Sequence, residues 1–283
     1  MPHGLGSYEA IAASELGQVD RANRLFATPD APVIWHVRHF LRTGRASDAL
    51  PLIDVALAGP DPSAAWPYAA TAWREVGDPR FEWLVRDNGL VSVIDLGWPT
   101  SQVEKLAELL RRLHDRSGEF FDQSVRGGTQ TSGPLFSRTE PEIRQLREAV
   151  VSAVGQYVVA LPEADPAHPL LGPRRDRAAR FAGSWSVRLR GSGYHERHVH
   201  NHGWISSALY LALPDNQAGG AADQGALELG APPTGLSLEQ PPIQEVDPAV
   251  GRLVLFPSWL WHGTRPFQSG ERLTIALDVK IRH

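Results

Sequence analysis

Apolar residues in the first 88 positions recur every three or four residues, which is the spacing of one face of an α-helix. This pattern predicts helices over residues 7–26, 32–43, 46–58 and 63–76. The last three predicted helices end at Gly44, Gly59 and Gly77, and glycine is common just beyond a helix C-terminus. Residues 1–88 are therefore predicted to form a helical domain.

The helical region contains a faint internal repeat. Gly44 and Gly77 are 33 residues apart, and each follows a helix that contains an aromatic residue, Phe40 in one and Trp73 in the other. This pattern resembles tetratricopeptide repeats, of which at least three are normally needed for stability, whereas about two are visible here. We therefore expect the repeats to depend on the rest of the chain, either as a concave peptide-binding surface or as a helical cap.

The middle of the chain mixes one strand with two helices. Alternating positions predict a strand over residues 91–96, and helical spacing predicts amphipathic helices over 100–116 and 140–161. The segment 122–131 between the helices is polar and contains a glycine pair, which fits a surface loop or a strand that lines a pocket. In the second case Arg126 is a candidate for binding an anionic group, and Gln130 for the pocket wall.

Short apolar or alternating runs follow from Gly183 onward. They predict strands over residues 185–190, 204–213, 227–229, 252–257 and 272–281, with turn-forming residues between them. Several short strands of this kind are typical of a sandwich or barrel. The predicted fold is therefore α+β, with helices over 1–88 and a second domain over 89–283 in which helices flank a β-structure.

The composition excludes several classes of protein. There are 28 Lys and Arg against 32 Asp and Glu, a net charge of −4, which argues against a nucleic-acid binder. The sequence has no cysteine, so it has no disulfides, thiolate metal ligands or cysteine nucleophile. No apolar run is long enough to span a bilayer, and the N-terminus lacks the pattern of a secretory signal. We expect a cytoplasmic protein with neither nucleic acid nor membrane as a partner.

Histidines concentrate in the predicted β-region. Four of the 11 lie within residues 193–203, and His198 and His200 would share one face of a strand. A third candidate ligand is His262, and Arg272 follows ten residues later. Neutral imidazoles suit Fe, Zn, Cu and Ni.

Other residues near this cluster leave alternatives open. Glu196 has the same strand parity as His198, so a shifted set of ligands could include it, and Glu228 is another nearby acid. His195 has the opposite parity and is a candidate for the substrate pocket rather than for the metal, as are Trp204 and Trp261.

The order of these residues resembles the Fe(II)- and 2-oxoglutarate-dependent oxygenases. The resemblance covers about residues 183–281 and is nearest to the prolyl-hydroxylase-like branch, in a bacterial subgroup with N-terminal tetratricopeptide-like repeats. It implies a double-stranded β-helix of jelly-roll or cupin type, with Fe(II) and 2-oxoglutarate as cofactors. It also implies that His198 and His262 bind iron and that Arg272 pairs with the distal carboxylate of 2-oxoglutarate. Counting back from His198, Arg188 falls where a second side chain touches the cosubstrate.

The sequence departs from the usual oxygenase pattern at His200. The commonest ligand set has a carboxylate there, next to two histidines. His200 is the preferred ligand because it stands two residues after His198, where the family's second ligand belongs.

The resemblance implies use of O2 and hydroxylation of a peptide, protein or small-molecule substrate, with release of succinate and CO2. Two alternatives remain: a three-histidine dioxygenase that does not use 2-oxoglutarate, and a non-catalytic peptide- or metal-binding module.

Overall fold

The computed structural model describes residues 5–28, 31–86, 89–115, 124–176, 180–214 and 225–280. The chain forms two compact units. The first, called here the helical unit, comprises Met1–Val85 and Pro232–Pro241. The second, the sheet unit, comprises Arg86–Ala231 and Pro242–His283. The sequence-based division after residue 88 did not include the returning segment 232–241.

The helical unit contains six described helices. They are α1 Leu5–Glu15, α2 Val19–Phe26, α3 Val33–Arg42, α4 Ala46–Leu57, α5 Trp66–Val76 and α6 Arg80–Val85. The prediction of one continuous helix over 7–26 is wrong, because the chain breaks at Gly17, whose φ is +70°. Glycine adopts this left-handed conformation without the steric cost of a Cβ, and it commonly ends helices. Helix α6 was not predicted.

The returning segment is held in the helical unit by arginine and glutamine side chains. Nε of Arg42 donates to the carbonyl of Gly235 at 2.8 Å, and Arg74 donates to the carbonyl of Pro241 at 2.6 Å. The amide of Gln240 donates to the carbonyl of Thr71 at 3.1 Å. The two arginine bonds satisfy backbone carbonyls of a segment that has no strand or α-helix of its own, and the Gln240 bond joins the segment to α5.

The sheet unit contains nine described strands and two described α-helices. In chain order these are β1 Ser92–Asp95, α7 Thr100–His114, β2 Val125–Gln130, α8 Pro141–Ala160, β3 Arg180–His195, β4 Ile205–Ala212, β5 Leu227–Leu229, β6 Gln244–Val246, β7 Arg252–Pro257, β8 His262–Thr264 and β9 Glu271–Lys280. The polar segment 122–131 therefore forms a strand from residue 125 onward. Strands β6 and β8 are too short to show a pattern in the sequence.

Two antiparallel sheets make up the β-structure. The larger has six strands in the order β1-β7-β4-β9-β3-β2, and the smaller has three in the order β6-β5-β8. Every described pairing is antiparallel. The result is a mixed α and β fold with a large antiparallel core, which is consistent with a double-stranded β-helix.

Strand β9 lies at the centre of the larger sheet and has a different environment on each face. Arg272, Thr274 and Ala276 line a cavity on one face. On the other face, Arg188 of β3 and Glu271 of β9 form an ion pair. Side chains of a strand alternate between its faces, so the register of β9 decides which residues reach the cavity.

Helix α7 contributes a buried histidine to the sheet unit. The ring of His114 lies 3.0 Å from Oγ of Ser186 and 2.9 Å from Oγ1 of Thr129. Burial lowers the pKa of His114 to about 4, so its ring is neutral at pH 7.

No described helix is long and apolar enough to cross a membrane.

Two glycine substitutions are expected to shift stability in opposite directions. Gly155 lies on the exposed side of α8 with open space where a Cβ would stand, so Gly155→Ala should raise the free energy of unfolding by about 0.5–1 kcal/mol. At Gly203 a Cβ would lie 2.4 Å from Oγ of Ser258, so Gly203→Ala should lower it by about 1–3 kcal/mol. Urea denaturation measures both; equal values for the two variants would contradict the packing described at Gly203.

Candidate metal centre and cosubstrate pocket

A cavity of about 240 Å³ opens in the sheet unit between the two sheets. Its wall is partly apolar, with Trp185, Val187 and Phe256, and carries a group of histidines on one side. Arg272 contributes a guanidinium to the same cavity. A partly apolar pocket with a few convergent polar groups is typical of a small-ligand site.

Three of the histidines form a cluster with the geometry of a metal site. His198, His200 and His262 each offer a ring nitrogen, and these nitrogens all lie within 4.8 Å of one another. His198 and His262 are held side by side by reciprocal backbone hydrogen bonds of 2.9 and 3.0 Å. The backbone N–H of His200 donates to the carbonyl of Ser258 at 3.1 Å. The structure thus brings together the three ligands predicted from the sequence.

Each of these three rings has an oxygen acceptor beside Nδ1. Nδ1 of His198 lies 2.7 Å from the carbonyl oxygen of Glu196, and Nδ1 of His262 lies 2.9 Å from that of Leu260. Nδ1 of His200 lies 2.7 Å from Oδ1 of Asp278. These contacts place the proton on Nδ1 and leave the lone pair of Nε2 available to a metal ion, as is usual for metal-bound histidine.

Burial favours the neutral form of two of the three candidate ligands, His198 and His262. Burial, with a smaller effect of the neighbouring His200, lowers the pKa of His198 to about 4. Burial also holds the pKa values of His262 and His195 well below their ordinary value. A histidine must be neutral to bind a metal, so the two predicted ligands with depressed pKa values are ready to bind at neutral pH.

Arg272 is buried without an acidic partner. Its side chain is 2% exposed, and its guanidinium carbon lies 5.0 Å from the centre of the Tyr210 ring. Among the described residues it forms no salt bridge, and its Nε has no hydrogen-bond partner. A buried guanidinium costs free energy unless an anion satisfies it, so the cavity provides a place for a carboxylate.

The predicted substrate-pocket residues divide into two groups. Gln130 and His195 line the cavity. Arg126 lies away from it and pairs with Glu196 at 2.9 Å. Trp204 and Trp261 are buried but do not line the cavity, and the indole N–H of Trp204 donates to the carbonyl of Leu170 at 2.9 Å.

The structure does not bring Arg188 to the cosubstrate cavity. Its guanidinium pairs with Asp115 at 2.8 Å and with Glu271, and Glu271 also pairs with Arg111 at 2.7 Å. The physical reason is strand parity: Val187 of β3 faces the cavity, so Arg188 faces the opposite side of the sheet. Arg188 is therefore not placed to bind 2-oxoglutarate in this cavity, contrary to the expectation from the sequence.

The two acids considered as alternative ligands are engaged elsewhere. Glu228 pairs with Arg197 at 2.8 Å and with Arg265 at 3.0 Å. The side chain of Glu196 pairs with Arg126, and only its backbone carbonyl contacts the histidine cluster. Neither carboxylate belongs to the described group of potential metal ligands.

Two residues that contact His200 were not predicted from the sequence to belong to the site. The ring of Trp185 lies 5.6 Å from that of His200 and lines the cavity. Asp278 contacts the same histidine from β9. Asp278 could have been found from the predicted strand over 272–281, because it lies six residues after Arg272 and so shares its face.

Comparison with known proteins gives a family for this part of the chain. Residues 183–278 match the model of a family described as "Putative 2OG-Fe(II) oxygenase". No curated protein matches the sequence.

Three of the solved structures that match this chain are two prolyl hydroxylases and the protein HygX. A prolyl-4-hydroxylase of Pseudomonas putida is 20% identical, with a TM-score of 0.47, 71% of this chain and 98% of that chain covered. A prolyl hydroxylase of Trichoplax adhaerens, solved with a hypoxia-inducible-factor peptide, is 16% identical, with a TM-score of 0.46 and coverages of 74% and 93%. HygX of Streptomyces hygroscopicus, solved with nickel and 2-oxoglutarate, is 14% identical, with a TM-score of 0.45 and coverages of 71% and 87%.

The matched segment extends from β3 to β9 and contains the three histidines and Arg272. The match to this segment, together with the three histidines and Arg272, supports a 2-oxoglutarate-dependent oxygenase with Fe(II) and 2-oxoglutarate as cofactors. The prediction of an oxygenase from the sequence is confirmed at this level.

Single alanine substitutions should separate the ligands from the neighbouring histidine. His198→Ala, His200→Ala or His262→Ala removes one nitrogen donor, so Fe(II) affinity should fall by more than the roughly 10–100-fold typical of changes around the ligands. His202→Ala is the matched control because His202 is exposed in the adjacent turn and should bind Fe(II) as the unsubstituted protein does. Anaerobic titration measures the affinities, and a ligand variant with unchanged affinity would remove that histidine from the site.

Proposed function

We propose that this protein is an Fe(II)- and 2-oxoglutarate-dependent dioxygenase that hydroxylates a peptide, protein or small molecule and releases succinate and CO2. The observation that carries the proposal is the buried guanidinium of Arg272, which pairs with no acid in the described part of the chain and lies in the same cavity as three convergent histidines. The histidines would bind a metal ion, and Arg272 would bind an anionic cosubstrate.

The chain's own residues fit both cofactors. His198, His200 and His262 would hold Fe(II) through Nε2 and leave positions open for other ligands. When bound, Fe(II) with 2-oxoglutarate supplies the activation of O2 from which the hydroxyl oxygen comes. Arg272 would bind the distal carboxylate of 2-oxoglutarate, for which a planar guanidinium with two parallel N–H donors is well suited.

The remaining cavity wall would limit access of water. Trp185, Val187, Leu227 and Phe256 present apolar surface around the histidines and Arg272. Exclusion of water strengthens the interaction of Arg272 with a carboxylate and protects reactive species from side reactions.

The substrate and the location of the protein remain predictions from the sequence. Tetratricopeptide-like repeats in the helical unit would favour a peptide or protein substrate, whereas a small molecule would need only the cavity. Gln130 and His195 line this cavity and are the candidates for contact with the substrate. The expected compartment is the cytoplasm.

One feature argues against each of the alternative functions. A three-histidine dioxygenase without a keto-acid has no use for Arg272, since it holds no dicarboxylate. A non-catalytic module does not require three histidines whose Nδ1 atoms each face an oxygen acceptor, in the same cavity as a guanidinium that pairs with no described acid. Oxygenase function explains all of these groups together.

Substitution of Arg272 should separate cosubstrate binding from metal binding. In Arg272→Ala the carboxylate of 2-oxoglutarate loses its charged hydrogen-bond donors, an interaction worth about 1.5–3 kcal/mol for each charged bond. We expect the visible charge-transfer band of anaerobic Fe(II) with 2-oxoglutarate to disappear while Fe(II) affinity stays unchanged. Succinate formation on admission of O2 should be lost in parallel.

The matched control is Arg252→Ala. Arg252 lies on β7 and pairs with Asp95 at 3.1 Å, away from the cavity. This variant should keep the band and the affinity for 2-oxoglutarate. If Arg272→Ala binds 2-oxoglutarate as tightly as Arg252→Ala does, the cosubstrate assignment is wrong. Absence of the band in the unsubstituted, iron-loaded protein would favour the dioxygenase without a keto-acid.

A further inference from the structure

Asp278 is the carboxylate in contact with the candidate metal ligands. Its Oδ1 lies 2.7 Å from Nδ1 of His200, at a position 78 residues further along the chain. The other two ligands, His198 and His262, contact only neutral backbone carbonyls through Nδ1. The three histidines are therefore not equivalent, and the charged acceptor stands behind His200.

We propose that Asp278 is a positioning residue that supplies, through the imidazole of His200, the negative charge that a three-histidine ligand set lacks. The inference rests on the proposed Fe(II) site. Non-haem Fe(II) oxygenases commonly use two histidines and one carboxylate, so three neutral ligands leave the site one negative charge short. Asp278 contacts His200 rather than the metal, so its negative charge would act on the metal through the imidazole of His200.

The surroundings of Asp278 leave its charge available to His200. Among the described residues it forms no ion pair with Arg or Lys, and its other contact is Oγ of Ser206 at 2.7 Å. Ser206 in turn lies 2.8 Å from Oγ of Ser258. A carboxylate that is held by hydroxyl groups but not neutralised by a cation keeps its full electrostatic effect on the imidazole.

Strand pairing fixes Asp278 in this place. On β9 it stands directly opposite Ser206 of β4 and Gly183 of β3. It is buried, with 9% of its surface exposed. A carboxylate at this level of burial costs free energy unless it is hydrogen-bonded, and His200 and Ser206 provide the bonds.

The contact has two separable physical effects. It fixes the orientation and tautomer of His200, and it raises the electron donation of the imidazole to a metal on Nε2. The ring of Trp185 lies against the same imidazole, with the centroids 5.6 Å apart and the planes tilted by 50°, and also restrains its orientation. The contribution that only Asp278 can make is therefore the charge.

The test compares Asp278→Asn, which keeps an oxygen acceptor for Nδ1–H but removes the charge, with Asp278→Ala, which removes both. Dissociation constants for Fe(II) and for Co(II) are measured anaerobically at one pH, without 2-oxoglutarate. If the charge matters, Asn and Ala should both weaken metal binding by about 10–100-fold. If Asp278→Asn binds both metals as the unsubstituted protein does, the inference is overturned.

Asp95→Asn is the matched control. It makes the same change from carboxylate to amide in the sheet unit, at a residue that pairs with Arg252 at 3.1 Å and does not line the cavity. We expect its metal affinities to stay within about threefold of the unsubstituted protein, well inside the range expected for loss of the charge of Asp278. A loss in Asp95→Asn as large as that in Asp278→Asn would show that the effect does not depend on the carboxylate beside His200, and it would overturn the inference. Circular dichroism and thermal unfolding of the metal-free proteins establish that each variant is folded.

A spectroscopic readout distinguishes this inference from the proposed function. The charge-transfer band of Fe(II) with 2-oxoglutarate should move to shorter wavelength in Asp278→Asn, because a less electron-rich metal gives up an electron less readily. An unmoved band would contradict the inference while it confirms cosubstrate binding. If the unsubstituted protein has no band, the proposed function fails, and the Co(II) affinities still decide the role of Asp278.

Discussion

The alternation of side chains along β9 is the constraint on which the candidate site depends. This strand is hydrogen-bonded on both sides, to β3 and to β4, and its inward face carries Arg272 and Asp278 six residues apart. At a rise of about 3.3 Å per residue the two positions are separated by about 20 Å of strand. The residue proposed to bind the cosubstrate and the residue proposed to support His200 therefore belong to one element, and a slip of one residue would turn both to the opposite face of the sheet.

The metal ligands come from less regular parts of the chain. His198 and His200 follow the end of β3, and His262 begins the short strand β8. The reciprocal backbone bridge between His198 and His262 fixes these segments to each other where no long strand does so. The regular strands thus form the framework around the site. The two backbone hydrogen bonds between His198 and His262 set the distance between these two candidate ligands.

The sequence predicted most of the helices and strands and the three histidines that the structure brings together. The spacing of His198, His200 and His262 followed from the local pattern and the family resemblance, because these residues belong to recognisable motifs. Arg188 and Asp278 were misjudged or missed, since the role of each depends on which face of a strand meets which neighbour. The alternation of side chains could have placed Asp278 on the face of Arg272, but its contact with His200 depends on the pairing of segments far apart in sequence, which a single sequence does not contain.

The membership of residues 232–241 in the helical unit has a consequence for dissecting the chain. The polypeptide passes from one unit to the other after Val85, after Ala231 and after Pro241, so three peptide links join the two. Removing the first 85 residues would leave the connection between β5 and β6 without the arginines and the threonine carbonyl to which it is bonded. Leu227 of β5 is part of the cavity wall. The helical region is thus not an appendage that a single cut can detach, and a shortened protein would test a rebuilt loop as much as an isolated enzyme.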